Sequence, residues 1–238
     1  MSNTKQKASP MTLARTAGFW YLLMAVVAPF GMIYVPQTLQ VAGDAAATVQ
    51  NIIDNEGLFR AGIVATLGTQ IIQIFTVLAL YKLLAPVNKW HAMLMSLFVL
   101  LAVPLAMLNE LNHFAVLQLI GDNAHLTMFT QGEIQEIVPV LLDMQEHGVM
   151  IAHIFWGMWL FPMGYLVYKS GFAPKIIGIL LMIGCFGYVA DFLIFTLMPG
   201  TDILVSQYTF IGELLLPLWL IFKGVNVEKW EEHFHQMA

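Results

Sequence analysis

The chain has 238 residues, of which 59% are hydrophobic and only 11% are charged, and its mean hydropathy is +0.75. This composition excludes an ordinary soluble domain, which needs more charge to cover its surface. A formal net charge of −5 provides no basic face for nucleic acid, and the single cysteine, Cys185, excludes an internal disulfide. We therefore predict a single transmembrane helical domain over residues 1–238, with the lipid bilayer as a partner and no nucleic acid.

Six apolar stretches are long enough to cross a membrane, which takes about 20 predominantly apolar residues. The first follows Lys5, Lys7 and Arg15 and so resembles a signal peptide. It is long enough to span and shows no small-residue cleavage site, so we interpret it as an uncleaved helix. In chain order, the predicted spans are 16–35, 59–80, 90–113, 148–168, 174–198 and 208–222.

The basic residues between these stretches predict the orientation of the spans. Nine of the ten fall on one side, and Arg60 falls opposite. An excess of Lys and Arg marks the cytoplasmic side, so both termini are predicted to be cytoplasmic, including segments 1–15 and 224–238. The nine are Lys5, Lys7, Arg15, Lys82, Lys89, Lys169, Lys175, Lys223 and Lys229.

Two connections on the other side are predicted to carry short amphipathic helices. Asp44, followed by three alanines, is typical of an N-cap that opens a helix through Ile53, with a turn at 55–57. Between 121 and 140, an apolar-periodic run predicts a helix that begins before Pro139 and leads into the fourth span. The fold class predicted is thus all-α: an integral membrane bundle of six transmembrane helices with short outer helices. The 224–238 tail is expected to be a solvated cytoplasmic end.

Ionisable residues inside the predicted spans indicate a candidate site, because they are costly in hydrocarbon and usually face the bundle interior. At 1.5 Å per residue, Glu110 lies roughly 31 Å from Lys89, and Glu213 lies roughly 15 Å from Lys223. His153 and Asp191 each lie roughly 24 Å from the nearest cytoplasmic lysine in sequence. These depths predict an outward-facing polar pocket formed by Glu110, Asn112, His113, Glu146, His147, His153, Tyr188, Asp191 and Glu213.

Three interpretations of this pocket remain open. His113, His153, Asp191 and Glu110 have the side chains that bind a divalent metal such as zinc, which would suit a metal-dependent membrane hydrolase or oxidoreductase. Alternatively, the pocket binds a small molecule or passes protons, as in a transporter. Lastly, the polar groups hydrogen-bond between helices in a structural or accessory membrane subunit. The sequence does not determine whether the chain is an enzyme, nor its substrate, cofactor, oligomeric state or protein partners.

Several segments along nearly the whole chain resemble one family of multi-pass membrane proteins. The family is catalogued as domain of unknown function 4386. The resemblance implies a bacterial protein of the cytoplasmic (inner) membrane, and it implies no activity and no functional residues. The segments that carry it are Gly43-Asp44-Ala45-Ala46-Ala47-Thr48, Glu56-Gly57-Leu58-Phe59-Arg60, Leu84-Ala85-Pro86-Val87-Asn88-Lys89, Leu111-Asn112-His113-Phe114, Gly164-Tyr165-Leu166-Val167-Tyr168-Lys169-Ser170-Gly171, Pro174-Lys175-Ile176-Ile177-Gly178 and Gly187-Tyr188-Val189-Ala190-Asp191.

Overall fold

A computed structural model describes residues 9–121, 129–201 and 203–237, and every regular element in these ranges is a helix. Residues 1–8 of the predicted 1–15 segment, which include Lys5 and Lys7, lie outside the described residues. In chain order, the elements are α1 Pro10–Pro29, a π-helical turn Phe30–Tyr34, α2 Val35–Leu39, α3 Ala45–Asp54, α4 Glu56–Leu84, α5 Lys89–Asn109, α6 Leu111–Ile120, α7 Gln131–Ser170, α8 Lys175–Leu197, α9 Ser206–Thr209, α10 Ile211–Phe222 and α11 Val227–Met237.

Five of the predicted spans are confirmed as helices long and apolar enough to cross a membrane. They are Pro10–Leu39, Glu56–Leu84, Lys89–Ile120, Gln131–Ser170 and Lys175–Leu197. The sixth segment, Ser206–Phe222, meets the same test only together with Val227–His235, which follows after a bend of 100°. The described residues therefore contain five spans, or six if this bent pair forms one.

The outer helix predicted at Asp44 is confirmed. The Asp44 carboxylate accepts a hydrogen bond from the Ala47 backbone N–H at 2.8 Å, so it caps the first turn of α3. The predicted turn at 55–57 is shorter than expected, because α4 already begins at Glu56.

The second outer helix begins before Pro139 and leads into the fourth span, as predicted, but it is not a separate short element. Its sequence forms the first part of α7, a single helix of 40 residues. Thr130 and Glu133 form a reciprocal cap at its start: the Thr130 N–H donates to Glu133 Oε2 at 2.6 Å, and the Glu133 N–H donates to Thr130 Oγ1 at 3.3 Å. Pro139 lies within the helix without ending it.

The chain divides into two compact units. The first unit comprises Met1–Leu23, Ile72–Leu101 and His153–Ala238, and the second comprises Met24–Ile71 and Ala102–Ala152. In the first unit, glycines let helix backbones approach closely, as small residues do in membrane bundles. A Cβ built on Gly178 of α8 would lie 2.6 Å from the carbonyl oxygen of Gly164 on α7.

The second unit has an apolar core to which the capping helix α3 contributes. Val49 and Ile52 of α3 are 4% and 0% exposed, so this short helix is packed and not merely surface-bound. The core residues are Val35, Leu39, Val49, Ile52, Phe59, Ile63, Val116, Leu117, Val138 and Leu142.

The C-terminal tail forms helix α11 of the first unit and does not stay fully solvated as expected. The indole N–H of Trp230 donates to the Leu83 carbonyl at 2.9 Å, and His233 Nε2 lies 3.1 Å from the Ser170 carbonyl oxygen. Leu83 and Ser170 are in the last turns of α4 and α7, where carbonyls lack partners within their own helix. The tail therefore caps the ends of two helices.

Candidate functional sites

The predicted site residues fall into two groups, one in each unit. Glu110, Asn112 and His113 belong to the second unit. The first unit holds the other group, which consists of His153, Tyr188, Asp191 and Glu213. Glu146 and His147 are exposed residues of α7 and lie outside both groups.

Glu110 and His113 form a buried pair at the junction of α5 and α6. Glu110 is 1% exposed, and its Oε2 lies 2.9 Å from His113 Nδ1. The spacing of three residues brings both side chains to one face of the helix. The Gln145 side chain of α7 donates to Glu110 Oε1 at 3.4 Å, so both carboxylate oxygens have a partner.

A second set of hydrogen bonds fixes this junction against α7. The Asn109 side chain donates to the Gln145 carbonyl at 2.7 Å, and the Asn112 side chain donates to the Asn109 carbonyl at 3.0 Å. A Cβ on Gly148 would collide with the Asn109 amide, so glycine at this position makes room for the contact. Asn112 therefore supports Asn109, the residue that joins the α5–α6 junction to α7.

A small cavity of about 10 Å³ lies next to His113. Space of this size holds about one water molecule, whereas pockets for organic ligands measure several hundred Å³. His113 is the one ionisable residue in its lining, so the second unit places an oriented imidazole beside a water-sized space. The lining residues are Gly31, Val35, Pro36, Leu39, Gln40, Ile52, Phe59, Gly62, Ile63 and His113.

In the first unit, Glu213 of α10 lies among phenols. The Tyr21 hydroxyl of α1 donates to Glu213 Oε2 at 3.3 Å, and Tyr188 of α8 is a second phenol that interacts with the carboxylate. The other oxygen, Glu213 Oε1, is buried and has no hydrogen-bond partner among the described residues. Because a buried carboxylate oxygen is costly without a partner, this atom marks a position that a proton or a bound water would stabilise.

His153 of α7 lies next to Tyr188 and Asp191. Its ring centroid is 5.2 Å from that of Tyr188 and 5.6 Å from that of Trp156. His153 Nδ1 is 3.9 Å from Asp191 Oδ2, which is too long for a direct hydrogen bond. Both this nitrogen and Trp156 Nε1 are buried without a partner among the described residues.

Asp191 has a clear structural contact in addition to its proximity to His153. It is 1% exposed, and its Oδ1 accepts from the Val205 N–H at 2.5 Å and from the Ser206 N–H at 3.3 Å. These bonds attach the segment that precedes α9 to the middle of α8. The carboxylate therefore anchors this connection.

The four predicted metal ligands are not brought together. Glu110 and His113 form one pair, and His153 and Asp191 form another, in different units. Within the described ranges, no group of three or more His, Cys, Asp or Glu side chains is placed to hold a metal ion. Zinc binding stays a prediction without a completed ligand set.

The sequence analysis did not identify three residues of these sites: Tyr21, Gln145 and Trp156. Tyr21 bonds to Glu213 across 192 positions of sequence, a pairing that no local period reveals. Gln145 could have been found, because Gly148 and Ala152 follow it at three and seven residues, and small residues at that spacing mark a closely packed helix face. Trp156 is one helical turn after His153 and so shares its face.

The fold and these buried polar groups define a multi-pass α-helical membrane protein. The model of a family described as Domain of unknown function (DUF4386) matches residues 16–224, and the chain belongs to that family. A protein of Archaeoglobus fulgidus, described as "Uncharacterized protein", is 36% identical over 154 residues, which cover 65% of this chain and 78% of that protein. No solved structure matches the chain.

Proposed function

We propose that the protein resides in the bacterial cytoplasmic membrane, with both termini in the cytoplasm, and transfers protons through the buried polar group of its first unit. This develops the transporter interpretation of the site. The orientation is supported by the nine basic residues on one side of the spans. The proton function is supported by the contacts of Glu213 and His153.

The first-unit group is a series of protonatable side chains from four helices. It runs from Tyr21 to Glu213 through a hydrogen bond, and from Glu213 to Tyr188. It continues from Tyr188 to His153 through an edge contact of their rings, and from His153 to Asp191 across 3.9 Å. Chains of Asp, Glu and His inside a membrane are typical of proton relays in pumps and transporters.

The series extends along the direction that a proton would travel. Glu213 lies roughly 15 Å, and His153 and Asp191 roughly 24 Å, from the lysines at the ends of their helices. The group therefore covers roughly 9 Å of depth near the middle of a hydrocarbon layer about 30 Å thick. Bound water at Glu213 Oε1 and between His153 and Asp191 would join the separate hydrogen bonds into one path.

The single observation that carries this proposal is the unpartnered Glu213 Oε1. A buried carboxylate kept only for structure is expected to have both oxygens hydrogen-bonded. Glu213 instead holds one oxygen to Tyr21 and leaves the other free of protein donors in the described residues.

Proton flux into liposomes tests the proposal. Purified protein is reconstituted with a pH-sensitive dye inside, and a potassium diffusion potential drives protons inward. Wild-type protein should acidify the lumen faster than empty liposomes, and Glu213→Gln should fall to the empty rate, because the amide keeps the shape of the side chain but exchanges no proton.

The matched control is Asp44→Asn, which changes an exposed carboxylate at the cap of α3 and should leave the flux unchanged. Wild-type flux equal to that of empty liposomes would refute the proposal. Full flux in a correctly folded Glu213→Gln protein would refute it equally.

A further inference from the structure

Three lysines and one histidine flank the turn between α7 and α8. Lys169 lies in the last turn of α7, Lys175 begins α8, and Lys229 and His233 come from α11. We call these four side chains the lysine corner. All three lysines are exposed, and all four residues belong to the first unit.

Specific contacts hold these side chains at the corner. The Lys229 Nζ lies 3.5 Å from the position that a Cβ on Gly171 would occupy, and Gly171 has φ +69°, which favours glycine. His233 Nε2 lies 3.1 Å from the carbonyl oxygen of the preceding residue, Ser170. Because Lys229 and His233 are four residues apart, one face of α11 presents both to the same turn.

The two remaining lysines extend over aromatic rings of α7. Lys169 Nζ is 5.9 Å from the centroid of the Tyr165 ring, and Lys175 Nζ is 5.4 Å from that of Tyr168. Tyrosines at the level of lipid headgroups are typical of membrane boundaries. The corner joins two predicted spans, so these cations lie at the boundary between hydrocarbon and water.

No acidic side chain of the described residues pairs with these lysines. The ion pairs of Arg60, His113 and His153 in the described ranges do not include these lysines. The first turn of α8 also contains no acid, although Lys175 stands at the positive end of that helix, where a cation is unfavourable. The corner lysines therefore have no ion-pair partner among the described residues, although Glu228, Glu231 and Glu232 are neighbours of Lys229 on α11.

We propose that the lysine corner binds the phosphate of an anionic phospholipid headgroup. The ammonium groups supply the charge, and the aromatic rings beneath them supply the apolar wall against which the acyl chains lie. Clustered basic residues at the cytoplasmic ends of spans attract anionic lipid in this way. The inference is independent of the proton function, because it uses none of the residues of the relay.

Lipid titration of the purified full-length protein tests this site. Detergent-solubilised wild type is titrated with phosphatidylglycerol, with phosphatidylcholine and with inorganic phosphate, and retained lipid is counted by native mass spectrometry. The test variant is Lys169→Gln/Lys175→Gln/Lys229→Gln. The matched control is Lys82→Gln/Lys89→Gln/Lys223→Gln, which removes the same charge from exposed positions elsewhere in the first unit.

The test variant should bind phosphatidylglycerol more weakly by about 5-fold per lysine, or roughly 100-fold in all. Its binding of phosphatidylcholine should stay unchanged, and so should the phosphatidylglycerol affinity of the control variant. An equal loss in both triple variants would overturn the proposal in favour of a diffuse charge effect. Inorganic phosphate that displaces the lipid at equal concentration would overturn it in favour of a soluble anion.

Discussion

Replacement of Asp191 should be among the most damaging single changes in the first unit. Its carboxylate accepts hydrogen bonds from two backbone N–H groups, those of Val205 and Ser206, and is 1% exposed. Asp191→Ala leaves both donors without a partner, at about 1–3 kcal/mol each, so the free energy of unfolding should fall by about 2–6 kcal/mol. Asp191→Asn keeps one acceptor oxygen and should cost about 1–2 kcal/mol. The 3.9 Å separation from His153 adds nothing to these values.

Reversible unfolding in mixed micelles of a mild detergent and dodecyl sulfate, followed by far-UV circular dichroism, measures this difference. The matched comparison is Asp44→Ala, which removes one exposed cap and should cost about 1 kcal/mol. If Asp191→Ala unfolds no more easily than Asp44→Ala, the two bonds to the segment before α9 do not anchor it, and the reasoning is wrong.

Two further substitutions probe the packing of the first unit. Gly178→Leu places a side chain against the Gly164 carbonyl oxygen, which a Cβ alone would approach to 2.6 Å. In the same assay it should lower the free energy of unfolding by about 1–3 kcal/mol. The control Ile179→Leu, on the exposed side of α8, should leave the free energy of unfolding unchanged. Trp230→Phe keeps an aromatic side chain but loses the hydrogen bond to the Leu83 carbonyl, so α11 should be cleaved faster by protease in limited digestion. Unchanged cleavage would mean that this hydrogen bond does not hold the tail.

The spans could be predicted because the bilayer imposes a length and an apolar composition that survive any detail of packing. The end of the third span could not be predicted in this way, because α6 continues from Leu111 to Ile120, beyond the predicted limit at residue 113. Helices extend past the hydrocarbon wherever caps and neighbouring residues satisfy their backbone hydrogen bonds. Hydropathy carries no information about that extension. The full length of α7 escaped prediction for the same reason.

Within the candidate sites, local spacing predicted well and distant pairing did not. The Glu110–His113 pair follows from a spacing of three residues along a helix, and Glu110 Oε2 lies 2.9 Å from His113 Nδ1. Their common position in the half of the spans away from the lysines suggested that all the polar residues share one pocket. Depth gives only the position of a side chain along the bilayer normal, however. Which side chains meet depends also on the direction in which each helix face points. Tyr21 and Glu213 meet only because α1 and α10 pack at Gly18, where a Cβ would lie 2.9 Å from the Pro217 carbonyl oxygen.

Helix α7 is much longer than a membrane crossing requires. Its 40 residues rise roughly 60 Å, about twice the thickness of the hydrocarbon layer. Even at a tilt of about 40°, the upper end of the observed range, roughly 15 Å of its rise along the bilayer normal lies outside the hydrocarbon layer. The N-terminal part of α7, which begins at the reciprocal cap of Thr130 and Glu133, therefore extends beyond the hydrocarbon layer.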